Sequence, residues 1–217
     1  MPMPIAVMLS GRGSNFSALL DAMDAGDIDA QVVLVISDRS DAGGLDIARA
    51  RGIDTAVIGR REAASPEAFD RANKQALIAS GAKLVVLAGY LSVVRSETIR
   101  AYPHAILNIH PALLPSFGGA GYYGRHVHEA VLAAGCKLSG ATVHFVTEEV
   151  DAGPIVDQAA VPVYDDDTAA TLAARVLVQE HRLLPRAVAA FAAGRLRVKE
   201  NIVHGLHPSA KGDENGV

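Results

Sequence analysis

Short apolar runs rich in β-branched residues recur through the first half of the chain, at Ile5–Leu9, Gln31–Ile36, Thr55–Ile58, Lys83–Ala88 and Ala105–Ile109. Their lengths are those of strands rather than helices. Between them lie stretches with helical spacing: Phe16–Ala25, Leu45–Arg51, Pro66–Ser80 and Ser96–Tyr102. Ser65 ahead of Pro66 supplies an N-cap followed by proline at the first helical position. Strands alternating with helices predict right-handed βαβ units and a parallel sheet. Leu84–Leu87 is apolar on both faces, which places that strand centrally.

After residue 110 the texture changes. Pro111 to Tyr123 is rich in Gly, Pro and Tyr and too long for an ordinary connection, which marks it as a functional candidate. A helix is expected over Arg125–Ala134, then antiparallel strands at Ala141–Val146 and Ile155–Val163. Thr168 to Gly194 predicts a long last helix, kinked or broken at Pro185. The expected fold is α/β: a mostly parallel, Rossmann-like twisted sheet with helices on both faces and an antiparallel C-terminal edge. It forms a single domain over residues 1–198, and residues 199–217, polar with Gly and Pro, read as a mobile tail.

A chain of 217 residues is long enough for one substantial core. Aromatics are sparse and Trp is absent, so Ala, Val, Leu and Ile must fill it. The formal net charge is −4 and the basic residues are dispersed, which argues against a nucleic-acid partner. The lone Cys136 excludes an internal disulfide and suits a reducing cytoplasm. Ile5–Leu9 is too short to span a membrane and lacks the basic leader of a signal peptide. A cytoplasmic protein without a membrane partner is expected.

Ser10-Gly11-Arg12-Gly13-Ser14-Asn15 lies between the first strand and the first helix. Glycines permit a tight turn there, and free N–H groups at a helix start make an anion cradle that the helix dipole reinforces. Ser14 and Asn15 either cap the helix or bind a phosphate, and a plain β–α turn accounts for the same residues. Gly11-x-Gly13 also opens a dinucleotide fingerprint, with Asp38 at the spacing of a ribose-binding acid. Phe16 stands where the third small residue belongs, which favours a monophosphate.

Asn108-Ile109-His110-Pro111 is the most informative segment. In a strand, Asn108 and His110 share one face, and Pro111 ends the strand so that both sit at its carboxyl end, where open α/β sheets hold ligands. An amide donor beside an imidazole suits oxyanion stabilisation with proton transfer, although a histidine there is also compatible with a packed core residue. Further on, Glu148 and Glu149 read as a solvated turn, whereas Asp151, beside the small pair Ala152-Gly153, can approach a ligand or histidine closely. A carboxylate near an imidazole raises its pKa and orients it. Asp165-Asp166-Asp167 reads as an acidic helix cap, and His126, His128 and Cys136 do not complete a metal set. Glu180 binds an amine if its helix face lines the cleft and is otherwise an inert helical charge.

Together these segments resemble the folate-dependent formyltransferases, over about residues 4–198 and in the same order. The resemblance rests on Ser10-Gly-x-Gly-Ser-Asn15, Leu87-Ala-Gly-Tyr90, Leu107-Asn-Ile-His-Pro-x-Leu-Leu-Pro115, Gly140-Ala-Thr-Val-His-Phe-Val146 with Asp151-x-Gly-Pro154, and Gln179-Glu-His181. The phosphate turn points to the branch acting on glycinamide ribonucleotide. The resemblance implies formyl transfer from 10-formyltetrahydrofolate to an amine, with no metal or redox cofactor. It implies that Gly13, Ser14 and Asn15 hold the substrate phosphate and Glu180 its glycinamide end. Leu91, Ser92, Val93 and Val94 would border the pterin, with Thr147, Glu148, Glu149, Val150 and Asp151 closing over it. Asn108 and His110 would stabilise the tetrahedral oxyanion, and Asp151 would orient His110 and favour its protonated state. Two departures stand out: Pro66, where family members often carry an Arg near the folate's glutamate tail, and a longer loop over 117–124.

Three other readings are distinguishable. A formyl-folate hydrolase would carry a regulatory domain before the first strand, which here begins near residue 4, and a methionyl-tRNA formyltransferase would need an RNA-binding domain after about residue 200. A non-enzymatic nucleotide-binding module explains the Gly-rich turn but leaves Asn108, His110 and Asp151 unused. The expected partners are small molecules, the phosphorylated acceptor and a folate, acting on a monomer or homodimer.

Overall fold

The computed structural model describes residues 1–207. Its elements alternate as the hydrophobic pattern predicts: β1 (Met3–Leu9), α1 (Ser14–Asp24), β2 (Ala30–Ser37), α2 (Gly43–Ala50), β3 (Asp54–Val57), α3 (Pro66–Ala79), β4 (Leu84–Leu87), α4 (Ser96–Ala101) and β5 (Ile106–His110). After α5 (Arg125–Ala133) come β6 (Leu138–Phe145), β7 (Ile155–Pro162) and α6 (Ala169–Ala192). One seven-stranded sheet has the order β3-β2-β1-β4-β5-β6-β7. β1 to β5 run parallel, and β6 and β7 form the antiparallel edge.

The central strands are apolar throughout because both sheet faces are covered. Ile5, Val7 and Leu9 of β1 join Phe16, Leu19, Leu45 and the apolar stripe of α6 in one core. Ala6 and Met8 point the other way, toward Leu77 and Tyr102. Full burial of a leucine-sized side chain contributes about 1.5–3 kcal/mol, so a strand apolar on both faces is stabilised at the centre of the sheet.

The helix signals are honoured at α3, where Ser65 Oγ accepts the Ala68 N–H at 3.1 Å, and at α6, where Thr168 and Thr171 form a capping box. Asp167 is not a bare acidic cap, since it holds Arg175 at 2.7 and 2.8 Å and accepts the Tyr164 N–H. α6 runs unbroken through Pro185. β6 starts three residues earlier than its apolar run, because Gly140 is a strand residue whose Cβ would collide with the Ala159 carbonyl. The expectation of a mobile tail from residue 199 is corrected as far as residue 207. β8 (Arg197–Lys199) and β9 (Ile202–His204) form a hairpin, with Val198, Val203 and Leu206 packed on the core. Buried Asp157 of β7 sits 2.7 Å from Arg186 and 3.5 Å from His207. Residues 208–217 of that expected tail lie outside the described residues.

β1 is flanked by β2 on one side and β4 on the other, so the chain reverses its winding direction there. Such a reversal leaves a crevice at the strands' carboxyl ends. Two bonds tie its floor: the Ser10 N–H donates to Gly89 O at 3.0 Å, and Ser10 Oγ accepts the Leu91 N–H at 2.8 Å. The turn after β1 also presses on α2, since a Cβ on Gly13 would lie 2.8 Å from Gly44 Cα.

A Cβ on Gly44 would strike the Leu9 side chain, including Cδ1 at 2.7 Å, and Leu9 is fully buried and unable to swing away. Gly44→Ala is therefore expected to cost about 1–3 kcal/mol in urea denaturation, by overpacking. Gly43→Ala, whose Cβ meets Arg12 at 3.6 Å, should be close to neutral in the same measurement.

Candidate active site

β5 ends at His110, with Asn108 and His110 on one face and Ile109 buried in the core on the other. β5 pairs with β6 so that Asn108 opposes His144 and His110 opposes Thr142. His144 Nδ1 lies 2.9 Å from the Phe145 carbonyl, which can only accept, so Nδ1 carries the hydrogen. That leaves His144 Nε2 to accept from Asn108 Nδ2 at 3.0 Å. By the same reasoning His110 Nε2 donates to the Phe117 carbonyl at 2.8 Å.

Asp151 comes from the loop after β6 and takes a left-handed backbone conformation, φ 56°. Its carboxylate lies between the two rings, Oδ2 3.5 Å from His110 Nδ1 and Oδ1 3.5 Å from His144 Nε2. Oδ2 also accepts the Gly119 N–H at 2.9 Å. Gly153 lets the loop close in, because a Cβ there would hit the Phe145 carbonyl. Asp151 and His110 thus meet although forty residues separate them. His144 completes the cluster and had been given no role, although a histidine inside the apolar run of β6, opposite Asn108, was a visible signal.

Burial and charge act on this pair in opposite directions. Burial pushes the His110 ring below the usual histidine range, Asp151 and the Phe117 carbonyl pull it back only in part, and His144 adds to the downward shift. Burial alone would raise Asp151, but its contact with His144, the charge the His110 ring can carry and the Gly119 N–H outweigh it and hold its carboxyl below the usual range. Burial thus opposes the protonated form of His110, and the Asp151 carboxylate favours it. At 3.5 Å the contact is also longer than a full hydrogen bond. His128 is pushed down too, by burial and then by His110.

The long loop lies over these groups. Its Phe117 carbonyl occupies His110 Nε2, and Gly119 occupies Asp151. Gly118 passes so close that a Cβ would sit 2.5 Å from Leu114 Cδ2 and 3.1 Å from Asp151 Cβ. Residues 117–119 of the longer loop therefore cover His110 and Asp151.

Across the crevice, Gly13 is the N-cap of α1 at φ 83°, and no side chain caps the helix. Of the two roles open to Ser14 and Asn15, neither residue takes the capping one, so the helix start keeps its free N–H groups. Asn15 instead donates through Nδ2 to Glu180 Oε2 at 2.6 Å, joining two predicted substrate residues 165 positions apart. Glu180 is buried on α6, and burial pushes its carboxyl up against the opposing donation from Asn15. Asp38 accepts the Ser92 hydroxyl at 2.6 Å through one carboxylate oxygen, which ties the end of β2 to the segment after β4.

The expected pterin border is apolar and open: Leu91 and Val93 are 52% and 47% exposed, and Val150 is also exposed. The Ser92 side chain is spent on Asp38, and Val94 is half-buried. In the facing loop Thr147 Oγ1 donates to the Glu149 carbonyl, and Glu148 accepts from Arg100 of α4 at 3.0 Å. Beside Val93 lies a groove of about 130 Å³ lined by Arg60, Pro66, Phe69, Val93 and Arg95. Among the described residues no group of three His, Cys, Asp or Glu could hold a metal ion, and no helix is long and apolar enough to cross a membrane.

An open α/β sheet with a crevice at its winding reversal, and an Asn-His-Asp cluster on the adjoining strand ends, define an α/β enzyme of the open-sheet class. The chain belongs to the formyl transferase family, whose pattern matches residues 3–188. It is 40% identical over 199 residues to the phosphoribosylglycinamide formyltransferase of Escherichia coli K12, covering 92% of each chain. It is 42% identical over 197 residues to the trifunctional purine biosynthetic protein adenosine-3 of Bos taurus, spanning 19% of that longer protein. The crystal structure of glycinamide ribonucleotide transformylase 1 from Symbiobacterium toebii superposes with a TM-score of 0.89 at 45% identity, covering 95% of each chain.

The lowered histidines make stability pH-dependent. Their folded-state values lie below the ordinary value of 6.5, so on acidification the unfolded chain takes up protons first. Their contribution is fully present above about pH 6.5 and is lost as pH falls toward the folded-state values. Urea unfolding at a series of pH values should show stability declining below that point, and His110→Gln and His128→Gln should each flatten the decline. A wild-type profile that stays level from neutral pH down into the carboxylate range would rule the assignment out.

Proposed function

We propose that this chain transfers the formyl group of 10-formyltetrahydrofolate to the amino group of glycinamide ribonucleotide, a step of purine biosynthesis. One observation carries the reading: an uncapped helix start, a Glu180 bonded to Asn15 of that helix, and the Asn108–His110–Asp151 cluster lie along the carboxyl edge of the sheet. The α1 N-terminus and the turn through Gly13 and Ser14 hold the phosphate. Glu180, oriented by Asn15, receives the glycinamide end. Leu91 to Val94 form one wall for the pterin and Thr147 to Asp151 the other.

The reaction exchanges one C–N bond for another. The uncharged amine attacks the formyl carbon, and the formyl oxygen gains a negative charge. Asn108 Nδ2–H and His110 Nε2–H, on one face of β5, donate to that oxygen once the Phe117 carbonyl has withdrawn. The former amine nitrogen must lose a proton and the folate nitrogen must gain one as its bond to carbon breaks. The proton lost by the amine nitrogen passes to solvent, His110 takes one up at Nδ1 where the Asp151 carboxylate pairs with it, and the ring gives its Nε2 proton to the leaving nitrogen and is left neutral. These steps call on no metal or redox cofactor.

Pro66 cannot pair with the folate's carboxylates, but Arg60 and Arg95 flank it in the same groove over the apolar surfaces of Phe69 and Val93. They take the glutamate tail. The partners are these small molecules, with the chain acting as a monomer or homodimer, and half-buried Cys136 is in keeping with a cytoplasmic setting.

The direct test is formyl transfer from 10-formyltetrahydrofolate to glycinamide ribonucleotide, with a no-acceptor control. Formyl release that ignores the acceptor would replace transferase by hydrolase. Asn108→Ala and His110→Ala should each lower turnover roughly 10²-fold or more while the fold is retained by circular dichroism. Near-normal turnover in folded His110→Ala would return that residue to a packing role. The Arg60→Ala/Arg95→Ala variant should raise the KM of the glutamylated donor about tenfold at unchanged kcat, and leave a pteroyl donor without glutamate unaffected.

A further inference from the structure

α3 packs beside the segment that leads from β4 to α4, and one of its side chains takes over that segment's far end. Asp70 is 4% exposed, an unusual position for a carboxylate. Oδ1 accepts the Thr98 hydroxyl at 2.6 Å and the Arg95 N–H at 3.2 Å, and Oδ2 accepts the N–H groups of Glu97 at 3.0 Å and Thr98 at 3.3 Å. α4 has Arg95 at its N-cap and no capping side chain of its own, so its first turn is satisfied from α3 instead. None of the proposed chemical steps uses Asp70.

We propose that Asp70 is a positioning residue for folate: by holding the amides of Arg95, Glu97 and Thr98 it fixes the shape of the Leu91–Val94 wall. This inference rests on reading that wall as the folate border. The segment is short and is pinned at its start by Ser10, which accepts the Leu91 N–H, and at Ser92 by Asp38. Its other end has Asp70. Val93 and Val94 border the same small pocket as Asp70, with Phe69, Asn73 and Tyr90. Val94 also packs on the core face that holds Met8 and Leu87, whereas Val93 is exposed, so the position of Val93 depends on where the backbone is anchored. A carboxylate accepting four hydrogen bonds is a rigid anchor, because each bond to a charged acceptor is stronger than a neutral one.

Asp70→Asn keeps the shape but exchanges one acceptor oxygen for an NH₂ that faces other donors. Thr98→Val removes one donor without placing a charge. Calorimetry of wild type and both variants, with tetrahydrofolate and with glycinamide ribonucleotide as separate probes, distinguishes positioning from general support. Asp70→Asn should weaken tetrahydrofolate about tenfold and leave the ribonucleotide within about twofold, with Thr98→Val shifted the same way by less. In the transfer assay the KM of the formyl donor should rise while kcat at saturating donor holds. Equal weakening of both ligands, or unchanged folate affinity in folded Asp70→Asn, overturns the proposal, and Thr98→Val decides in the same way if Asp70→Asn does not fold. Wild-type protein that binds no tetrahydrofolate overturns the functional reading and this inference with it. Wild-type binding with unaltered variants overturns the inference alone.

Discussion

A carboxylate that is only one-tenth exposed stays ionised when its surroundings replace the water it has lost, and the edge of the sheet at Asp151 is built around that requirement. Oδ2 receives the Gly119 N–H, and each oxygen faces a histidine ring. Supplying these partners constrains the surroundings. Asp151 itself sits in the left-handed region, Gly153 must lack a Cβ to pass the Phe145 carbonyl, and Gly118 must lack one to pass Asp151. Asn108 holds His144 through one ring nitrogen while the Phe145 carbonyl holds the other. Two adjacent strands, their cross-strand register and two loops are therefore specified together by one buried charge.

The sheet's winding order puts that cluster within reach of the phosphate turn. β1 lies between β2 and β4, and β5 follows β4, so the turn after β1, the Leu91–Val94 segment and the end of β5 are successive features along one edge. Side chains then cross-link them. Ser10 joins the first to the second, and Asp38 and Asp70 fix the second from β2's end and from α3. These bonds are side chain to backbone or side chain to side chain between segments far apart in sequence, which is how a set of loops acquires the rigidity of the elements beneath it.

The strands and helices were legible because their signals are local: a short unbroken apolar run in β1, a serine and proline opening α3, apolar residues on both faces of β4. Asn108 and His110 could be placed on one face for the same reason. The signals failed where a long-range contact decides. Gly140 resembles a turn residue yet sits inside β6, because Ala159 needs the space where its side chain would be. The hairpin at 197–204 is two three-residue strands among polar residues, too short to show a period and held in place by the core it covers. The proximity of Asp151 to His110 is not legible in a sequence that separates them by forty residues, nor is the depth at which the ring is buried. Burial, the leading cause of the His110 shift, outweighs a carboxylate 3.5 Å away.

The same physics separates the two carboxyl groups of the crevice. Asp151 receives an N–H and faces two imidazoles, and its proton affinity falls below the ordinary range. Glu180 is buried with one donor, the Asn15 amide, and its proton affinity rises. Pairs of acids whose environments push them apart are the usual means by which one site holds an acid and a base at the same pH. In the proposed reaction the attacking amine must be uncharged. A fully ionised carboxylate beside it would stabilise the ammonium form and slow the attack, whereas a carboxyl that holds its proton more tightly does so less. The ionised group belongs instead at the opposite end, beside the imidazole that has to gain and release a proton. Asp151 is the acid whose surroundings keep it charged there.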